Sequence, residues 1–360
     1  MLSISLCMIV KNEEDVIARC LDTIKDIVDE IIIVDTGSTD NTKEISRVFT
    51  DEIYEFEWVD DFSVARNFAF SKATKDYIMW LDADDVLLDE DRLKLGELKK
   101  TLDKTVDVVM MKYNVGFDAN GKVTLSYYRE RLLRRLNNYK WREPVHEHLE
   151  LWGKIINSDI CITHKKEHVN IVSRNLTIYE KLINRGKTLS TRGLYYYARE
   201  LYYNEKYEEA IKFFNKFLNT EEGWLEDNIS ACFDLSMCYN HINDKKSMLR
   251  SLLKSFEYDT PRGEICCQLG YYYFNLADYN RAIFWYKTAT ELKELVDSWG
   301  FISRDYWNFI PCIQLCVCYY KLGNIKEAIR YNNKASEYKP NDVSVEYNRD
   351  YFQKTISSEL

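Results

Sequence analysis

Three short runs of apolar residues near the start of the chain have the length and composition of buried β-strands. They cover residues 3–10, 31–34 and 77–79. Between the first two, apolar residues recur from Val16 to Ile27 at the three- and four-residue spacing of an amphipathic helix. Strands that are apolar on both faces and joined by a helix are typical of right-handed βαβ units. The pattern predicts an α/β, Rossmann-like domain.

The second half of the chain has a helical pattern rich in tyrosine and phenylalanine. Segments around Ala210, Ala282 and Ala328 superimpose, and small residues such as Gly270 stand twelve positions before the alanine. A degenerate copy has Ser247 at the alanine position, which gives intervals of 37, 35 and 46 residues. These features are typical of tetratricopeptide repeats, which stack to bury their apolar faces. The sequence therefore predicts an all-α array of four copies.

These patterns divide the chain into two domains, which agrees with its length of 360 residues. We predict an α/β domain over residues 1–170, a connecting helix over 171–192, helical repeats over 193–340 and a C-terminal tail over 341–360. An insertion near residues 294–307 accounts for the longest interval between repeats.

Polar clusters follow each of the three predicted strands. Residues 11–14 follow the first strand, residues 35–40 the second, and the D-x-D pair Asp82 and Asp84 the third. Open α/β sheets bind ligands at the carboxyl ends of their strands. Because side chains at i and i+2 of an extended backbone share a face, Asp82 and Asp84 are expected to converge on Mn²⁺ or Mg²⁺ beside substrate phosphates. Taken alone, such a motif is more often a solvated turn or a helix cap.

Composition excludes several classes of function. A net charge of −9 argues against nucleic acid as a main partner. No apolar run approaches the length of an integral membrane segment, and the N-terminal run lacks a preceding basic region and a cleavage site. Ten cysteines show neither a paired framework nor zinc-ligand spacing, so they indicate a reducing, cytoplasmic location. Nucleotide-binding loops of the kinase and dehydrogenase types are absent from the sequence.

Five motifs occur in an order that resembles a known family. They are S-L-C-M-I-V-K-N-E-E, V-D-E-I-I-I-V-D-T-G-S-T-D-N-T, D-F-S-V-A-R-N, W-L-D-A-D-D and P-V-H-E. Together they resemble the family 2 glycosyltransferases, which have a GT-A fold, over residues 1–170. The branch they resemble most carries tetratricopeptide repeats behind the catalytic domain and includes bacterial peptide and flagellin glycosyltransferases.

The resemblance implies how a uridine-diphosphate (UDP) sugar is bound. It places Asp35 at the uracil and ribose, with Asp40 closing that loop, and Arg66 near the base or diphosphate, with Asn67 a weaker candidate. An ion pair of Arg66 with Asp60 or Asp61 is the structural alternative. The residues it assigns to nucleotide-sugar binding are Val10, Asn12, Glu13, Asp35, Arg66, Asp82 and Ala83. It assigns the metal, Mn²⁺ or Mg²⁺, to Asp84 and His164, although a lone histidine has a structural role about as often.

Catalysis is assigned by the resemblance to the P-V-H-E segment. Glu147 is the first candidate for the base that takes the acceptor proton, followed by His146 and Glu143. A carboxylate at this place could equally bind sugar hydroxyls, and His146 could be a core histidine. Family 2 enzymes invert the anomeric centre by a single displacement, so no covalent nucleophile is expected.

The combined prediction is a cytoplasmic, metal-dependent, inverting glycosyltransferase that uses a UDP-sugar donor. We expect it to transfer a hexose or N-acetylhexosamine to Ser/Thr or Cys side chains of a protein or peptide acceptor. A saccharide acceptor, as in lipopolysaccharide core synthesis, is one alternative. A repeat scaffold that carries a degenerate transferase domain is another. The repeats could bind the acceptor or join subunits into a homo-oligomer.

Overall fold

The computed structural model describes residues 2–117, 121, 123–166, 173–293 and 303–359. The described residues up to Thr188 form one compact unit, and those from Leu189 onward form a second. The predicted insertion at residues 294–307 lies largely outside the described residues. Its last part contains a short 3₁₀ helix, Arg304–Tyr306.

The first unit is built on a mixed eight-stranded sheet. Its strand order is β3-β2-β1-β4-β7-β6-β10-β5, and β8 and β9 form a separate antiparallel pair. Strands β3, β2, β1 and β4 run parallel, whereas β7 is antiparallel to both β4 and β6. The strands are β1 (Ile4–Val10), β2 (Glu30–Asp35), β3 (Ile53–Glu55), β4 (Tyr77–Trp80), β5 (Asp85–Val86), β6 (Val108–Phe117), β7 (Val123–Arg134), β8 (Trp141–Arg142), β9 (His148–Leu149) and β10 (Ile155–His164).

Five helices accompany this sheet. They are α1 (Ile17–Asp22), α2 (Thr42–Ser46), α3 (Phe62–Lys72), α4 (Asp89–Thr101) and α5 (Arg174–Asn184). Alternate residues of the central strands enter two different cores: Leu6 packs on the side of α1, and Cys7 packs on the side of α3. Burial on both faces explains why these strands are apolar throughout. The three strands predicted from apolar runs are therefore present, and α1 is shorter than its apolar pattern.

The second unit consists of helical hairpins. Its helices are α6 (Thr191–Tyr203), α7 (Tyr207–Leu218), α8 (Leu225–His241), α9 (Lys245–Lys254), α10 (Gly263–Asn275), α11 (Tyr279–Glu291), α12 (Phe309–Lys321), α13 (Ile325–Tyr338) and α14 (Val343–Glu359). Residues 341–360, predicted as a tail, thus contain a helix, and its Val345 and Phe352 are buried in the core of the last hairpin. No helix among the described residues is long and apolar enough to cross a membrane.

Small residues mark the contacts between paired helices. Ala210, Ala282 and Ala328 are the fourth residues of α7, α11 and α13 and are fully buried. The fourth residue of α9 is Met248, also fully buried, so the assignment of Ser247 to this position was wrong by one residue. The larger methionine hides the repeat pattern from an alignment based on small residues. At Gly270, an added Cβ would lie 2.6 Å from the ring of Tyr286.

Candidate active site

A cavity of about 460 Å³ lies at the carboxyl ends of β1, β2 and β4. The parallel strands bring residues distant in sequence to this one edge of the sheet. Most of the residues nominated from the sequence line it: Val10, Glu13, Arg66, Asp82, Ala83, Asp84, His146, Glu147 and His164. Asn12 and Asp35 are not among its lining residues.

Asp35 and Asn12 shape the loops that border the cavity. Asp35 is buried at the end of β2, and its Oδ1 accepts hydrogen bonds from the backbone N–H groups of Gly37 and Ser38, both at 3.0 Å. Asn12 has a left-handed backbone with φ of 55°, and its Oδ1 accepts a hydrogen bond of 2.8 Å from the N–H of Thr39. These contacts join the loop after β1 to the loop after β2. Direct contact of either side chain with a nucleoside stays a prediction.

The D-x-D segment is a turn and does not continue the strand. β4 ends at Trp80, and the N–H of Asp85 donates to the carbonyl of Asp82 at 3.0 Å. The two motif carboxylates therefore have different partners: Asp82 binds Arg66, and Asp84 lies 3.3 Å from His164. The expectation of an extended backbone across Asp82 and Asp84 was wrong, because the chain turns here. That both carboxylates contact one cation stays a prediction.

Arg66 joins two carboxylates at the floor of the cavity. Its Nε donates to Oε1 of Glu147 at 2.6 Å and its Nη2 donates to Oδ1 of Asp82 at 2.8 Å. The guanidinium lies 4.8 Å from the ring of Trp80 and 5.0 Å from that of Trp141. Burial lowers the pKa of Arg66, but the charges of Asp82 and Glu147 outweigh burial and raise it above its ordinary value. Arg66 is thus a buried cation paired with two carboxylates.

The structural alternatives proposed for neighbouring residues are also resolved. Arg66 does not pair with Asp60 or Asp61, because Asp60 binds Lys181 at 3.0 Å and Asp61 caps the N-terminus of α3. Asn67 exchanges two hydrogen bonds with the backbone of Trp141, at 3.0 and 2.9 Å. Asn67 therefore fixes β8 against α3 and is absent from the residues that line the cavity.

Asp84, Asp85 and His164 form a cluster whose ligand atoms all lie within 4.8 Å of one another. Asp85 is fully buried, and its carboxylate accepts hydrogen bonds from Tyr113 at 2.8 Å and from Arg131 at 3.1 Å. The ring Nδ1 of His164 lies 3.0 Å from the hydroxyl of Tyr113. Carboxylate oxygens with an imidazole nitrogen suit Mn²⁺, so this donor set fits a divalent cation.

The carboxylates of this cluster change the pKa of His164. Burial lowers the pKa of His164, but its hydrogen bonds to Asp84 and Asp85 outweigh burial and raise the pKa to about 10. A bound cation would require the neutral imidazole, and metal binding would therefore release a proton.

Sequence reasoning missed Asp85, Tyr113 and Arg131. Asp85 has one available signal: it is the last acid of D-A-D-D and stands directly before the apolar pair Val86 and Leu87. A carboxylate at the start of a buried strand requires a cationic partner. That Arg131 is this partner follows only from the pairing of β7 with β4.

The P-V-H-E segment approaches the cavity through an unusual backbone. Glu143 and His146 have φ values of 72° and 53°, which are uncommon for residues other than glycine. The carbonyl of Pro144 accepts a hydrogen bond of 2.9 Å from the N–H of Phe62, and Val145 is buried. These contacts hold the segment so that His146 and Glu147 line the cavity.

Residues 5–153 match the family described as "Glycosyl transferase family 2". The N-terminal domain is a family 2 glycosyltransferase domain. Residues 263–294 and 312–342 match the tetratricopeptide repeat. The resemblance inferred from the five motifs is confirmed, as is the predicted order of a glycosyltransferase domain followed by helical repeats.

Three relatives are each similar to part of this chain. A TPR repeat-containing protein of Synechococcus elongatus is 39% identical over 147 residues, which are 41% of this chain and 35% of that protein. The SPbeta prophage-derived glycosyltransferase SunS of Bacillus subtilis is 30% identical over 231 residues, which are 60% of this chain and 53% of SunS. The lipopolysaccharide core biosynthesis glycosyltransferase LpsC of Rhizobium meliloti is 26% identical over 164 residues, which are 44% of this chain and 60% of LpsC. The chain thus matches between about one third and three fifths of the length of these relatives.

Proposed function

We propose that this protein transfers a sugar, a hexose or N-acetylhexosamine, from a UDP-sugar to a side chain of a protein or peptide, with inversion at the anomeric carbon. One observation supports this most strongly. A single cavity of the glycosyltransferase domain contains a cluster that fits a divalent cation, Asp84 with His164, and a positioned carboxylate, Glu147. These are the two chemical elements that inverting transfer from a nucleotide sugar needs.

In the proposed reaction, Glu147 accepts the acceptor proton. The acceptor oxygen or sulfur attacks the anomeric carbon, while the bond from that carbon to the diphosphate oxygen breaks and its electron pair leaves with the diphosphate. Arg66 contacts only Oε1 of Glu147, so the hydrogen bond fixes the side chain and leaves the second oxygen for the proton. Removing a general base typically lowers a rate by about 10²- to 10⁴-fold.

Asp84 and His164 would hold Mn²⁺ or Mg²⁺, with Asp85 beside them. The cation, when bound, neutralises charge on the departing diphosphate. Asp85 lies 3.4 Å from Nδ1 of His164 and is held by its hydrogen bonds with Tyr113 and Arg131, so it orients the imidazole. Because Asp85 is fully buried and bound on both oxygens, its contribution is to position the ligands.

Support for a protein or peptide acceptor comes from the repeats. Tetratricopeptide arrays present extended surfaces that commonly bind peptides, and the matched repeats follow the glycosyltransferase domain in the same chain. We further propose that the acceptor side chain is Ser/Thr or Cys and that the repeats join subunits into a homo-oligomer.

The test is a panel of nucleotide sugars incubated with the full chain and Mn²⁺, with released nucleotide as the readout. Release of UDP from one sugar donor, faster with a peptide acceptor than with water, is expected. A panel with no turnover from any donor would favour the scaffold with a degenerate transferase domain. Turnover from a donor with another nucleotide would refute the uridine specificity alone.

A saccharide acceptor is the second candidate, favoured by the similarity to LpsC, whose name assigns it to lipopolysaccharide core synthesis. The same donor assay separates the two when peptide and oligosaccharide acceptors are compared at equal concentration. Product formed only on the saccharide would refute the peptide acceptor.

A further inference from the structure

The basic side chains that line the cavity differ in whether a carboxylate neutralises them. Arg66 is bound by Asp82 and Glu147, and both ends of the Arg129 guanidinium are bound by Glu130, at 3.3 and 3.1 Å. Two further cations line the cavity, Lys11 and Arg174, and among the described residues no carboxylate lies within ion-pair distance of either. Arg66, the cation predicted from the sequence, is therefore already neutralised by carboxylates, whereas Lys11 and Arg174 are available for an anionic ligand.

Arg174 is the first residue of α5, so it comes from outside residues 5–153 that match the glycosyltransferase family. Its guanidinium lies 5.0 Å from the ring of Phe62, at the start of α3. The helix itself is anchored to the same unit: Lys181 binds both carboxylate oxygens of Asp60 at 3.0 Å, and Tyr179 is fully buried. Packing therefore sets the position of the helix, and Arg174 is exposed at its first turn, next to Phe62.

Two cavities meet at Arg174. A second cavity of about 340 Å³ shares Lys11, Thr36, Phe62 and Arg174 with the first. The two available cations thus stand where both spaces join, at the carboxyl ends of β1 and β2. The first turn of α5 adds the positive end of a helix dipole on the same side. This arrangement favours a ligand with concentrated negative charge.

We propose that Arg174, with Lys11, binds the diphosphate of the nucleotide sugar, an inference that rests on the proposed function. A single divalent cation leaves a departing nucleoside diphosphate with net negative charge, and Arg66 cannot supply the remainder because its own charge is already compensated by two carboxylates. A guanidinium binds phosphate oxygens through paired, charge-assisted hydrogen bonds. The donor site of this protein is therefore completed by a helix that follows the family domain.

The test compares ligands with and without the diphosphate. Affinities for UDP and uridine are measured on the full chain with Mn²⁺, by calorimetry and by ligand-observed NMR respectively. Arg174→Met removes the charge and keeps an apolar side chain against Phe62. We expect UDP affinity to fall about tenfold or more, as for the loss of a charge-assisted hydrogen bond, and uridine affinity to stay unchanged. Arg174→Lys should recover part of the loss for UDP.

Arg185→Met is the matched control, because Arg185 follows the same helix, is 59% exposed and lies 3.7 Å from Asp60. It should change neither affinity. If Arg174→Met weakens UDP and uridine equally, or weakens neither, the diphosphate role of Arg174 is refuted while the donor assignment stands. If the unaltered protein binds neither ligand, the proposed UDP-sugar donor fails, and this inference fails with it.

Discussion

Replacing Arg66 by methionine should destabilise the glycosyltransferase domain through its carboxylate partners. The substitution keeps an apolar side chain next to the rings of Trp80 and Trp141 and removes the charge. Glu147 and Asp82, 14% and 36% exposed, then lose their cation. A carboxylate left buried without a partner must be hydrated or protonated, and both cost free energy.

The magnitude follows from the exposure of each partner. Removing one member of a fully buried ion pair costs about 3–5 kcal/mol, whereas exposed pairs contribute about 0–1 kcal/mol. The exposure of Glu147 is close to that of a fully buried partner, whereas Asp82 is partly hydrated. We therefore expect Arg66→Met to lower the free energy of unfolding by about 2–3 kcal/mol. Adding Glu147→Gln should recover at least about 1 kcal/mol, since the double variant no longer contains the uncompensated Glu147 charge.

Urea unfolding followed by tryptophan fluorescence measures the four free energies of this double-mutant cycle. The matched control is the exposed pair of Arg142 and Glu150, 3.4 Å apart and 57% and 67% exposed, for which the same cycle should give less than about 0.5 kcal/mol. A coupling at Arg66 no larger than in the exposed pair would refute the view that this guanidinium organises the floor of the cavity.

Chelation of divalent cations should abolish sugar transfer and Mn²⁺ or Mg²⁺ should restore it, while Asp84→Asn should weaken metal binding in calorimetry; full turnover in chelator would contradict the metal role. Glu147→Gln should lower the rate constant of transfer about 10²- to 10⁴-fold with nearly unchanged UDP affinity. Loss of donor binding in that variant would instead make Glu147 a sugar ligand. Gly270→Ala should lower the free energy of unfolding of the repeat unit by about 1–3 kcal/mol, because the new Cβ would lie 2.6 Å from the ring of Tyr286. Gly96→Ala in α4, where a Cβ meets nothing within 4 Å, should be neutral or stabilising by about 0.5–1 kcal/mol, and equal effects of the two glycine variants would disprove the close approach at Gly270.

The elements that follow from local pattern were predictable from the sequence. Apolar runs identified β1, β2 and β4 because each of these strands is buried on both faces and so carries almost no polar residue. Small residues identified the helix contacts at Ala210 and Gly270 because only they allow such close approach. Where Met248 takes the same place in α9, the pattern disappeared and the alignment slipped by one residue.

The site required long-range pairing. The resemblance to family 2 glycosyltransferases implied that Arg66, Asp84, Glu147 and His164 share a site, and all four line one cavity. Their partners could not be predicted, because a hydrogen bond depends on side-chain directions set by distant elements.

Three features of the site show that its hydrogen-bond and ion-pair partners depend on tertiary structure. The backbone turns at Asp82, where Asp82 pairs with Arg66 and Asp84 with His164, and β7 brings Arg131 to Asp85. The packing of α5 then places Arg174 beside Lys11, Thr36 and Phe62, which lie more than one hundred positions earlier in the chain. The sequence by itself thus determined three of the strands, the repeats and the family of the first domain. Only the tertiary structure decided which charges are compensated and which remain available for a ligand, because charge compensation depends on distances of a few ångströms between residues far apart in the chain.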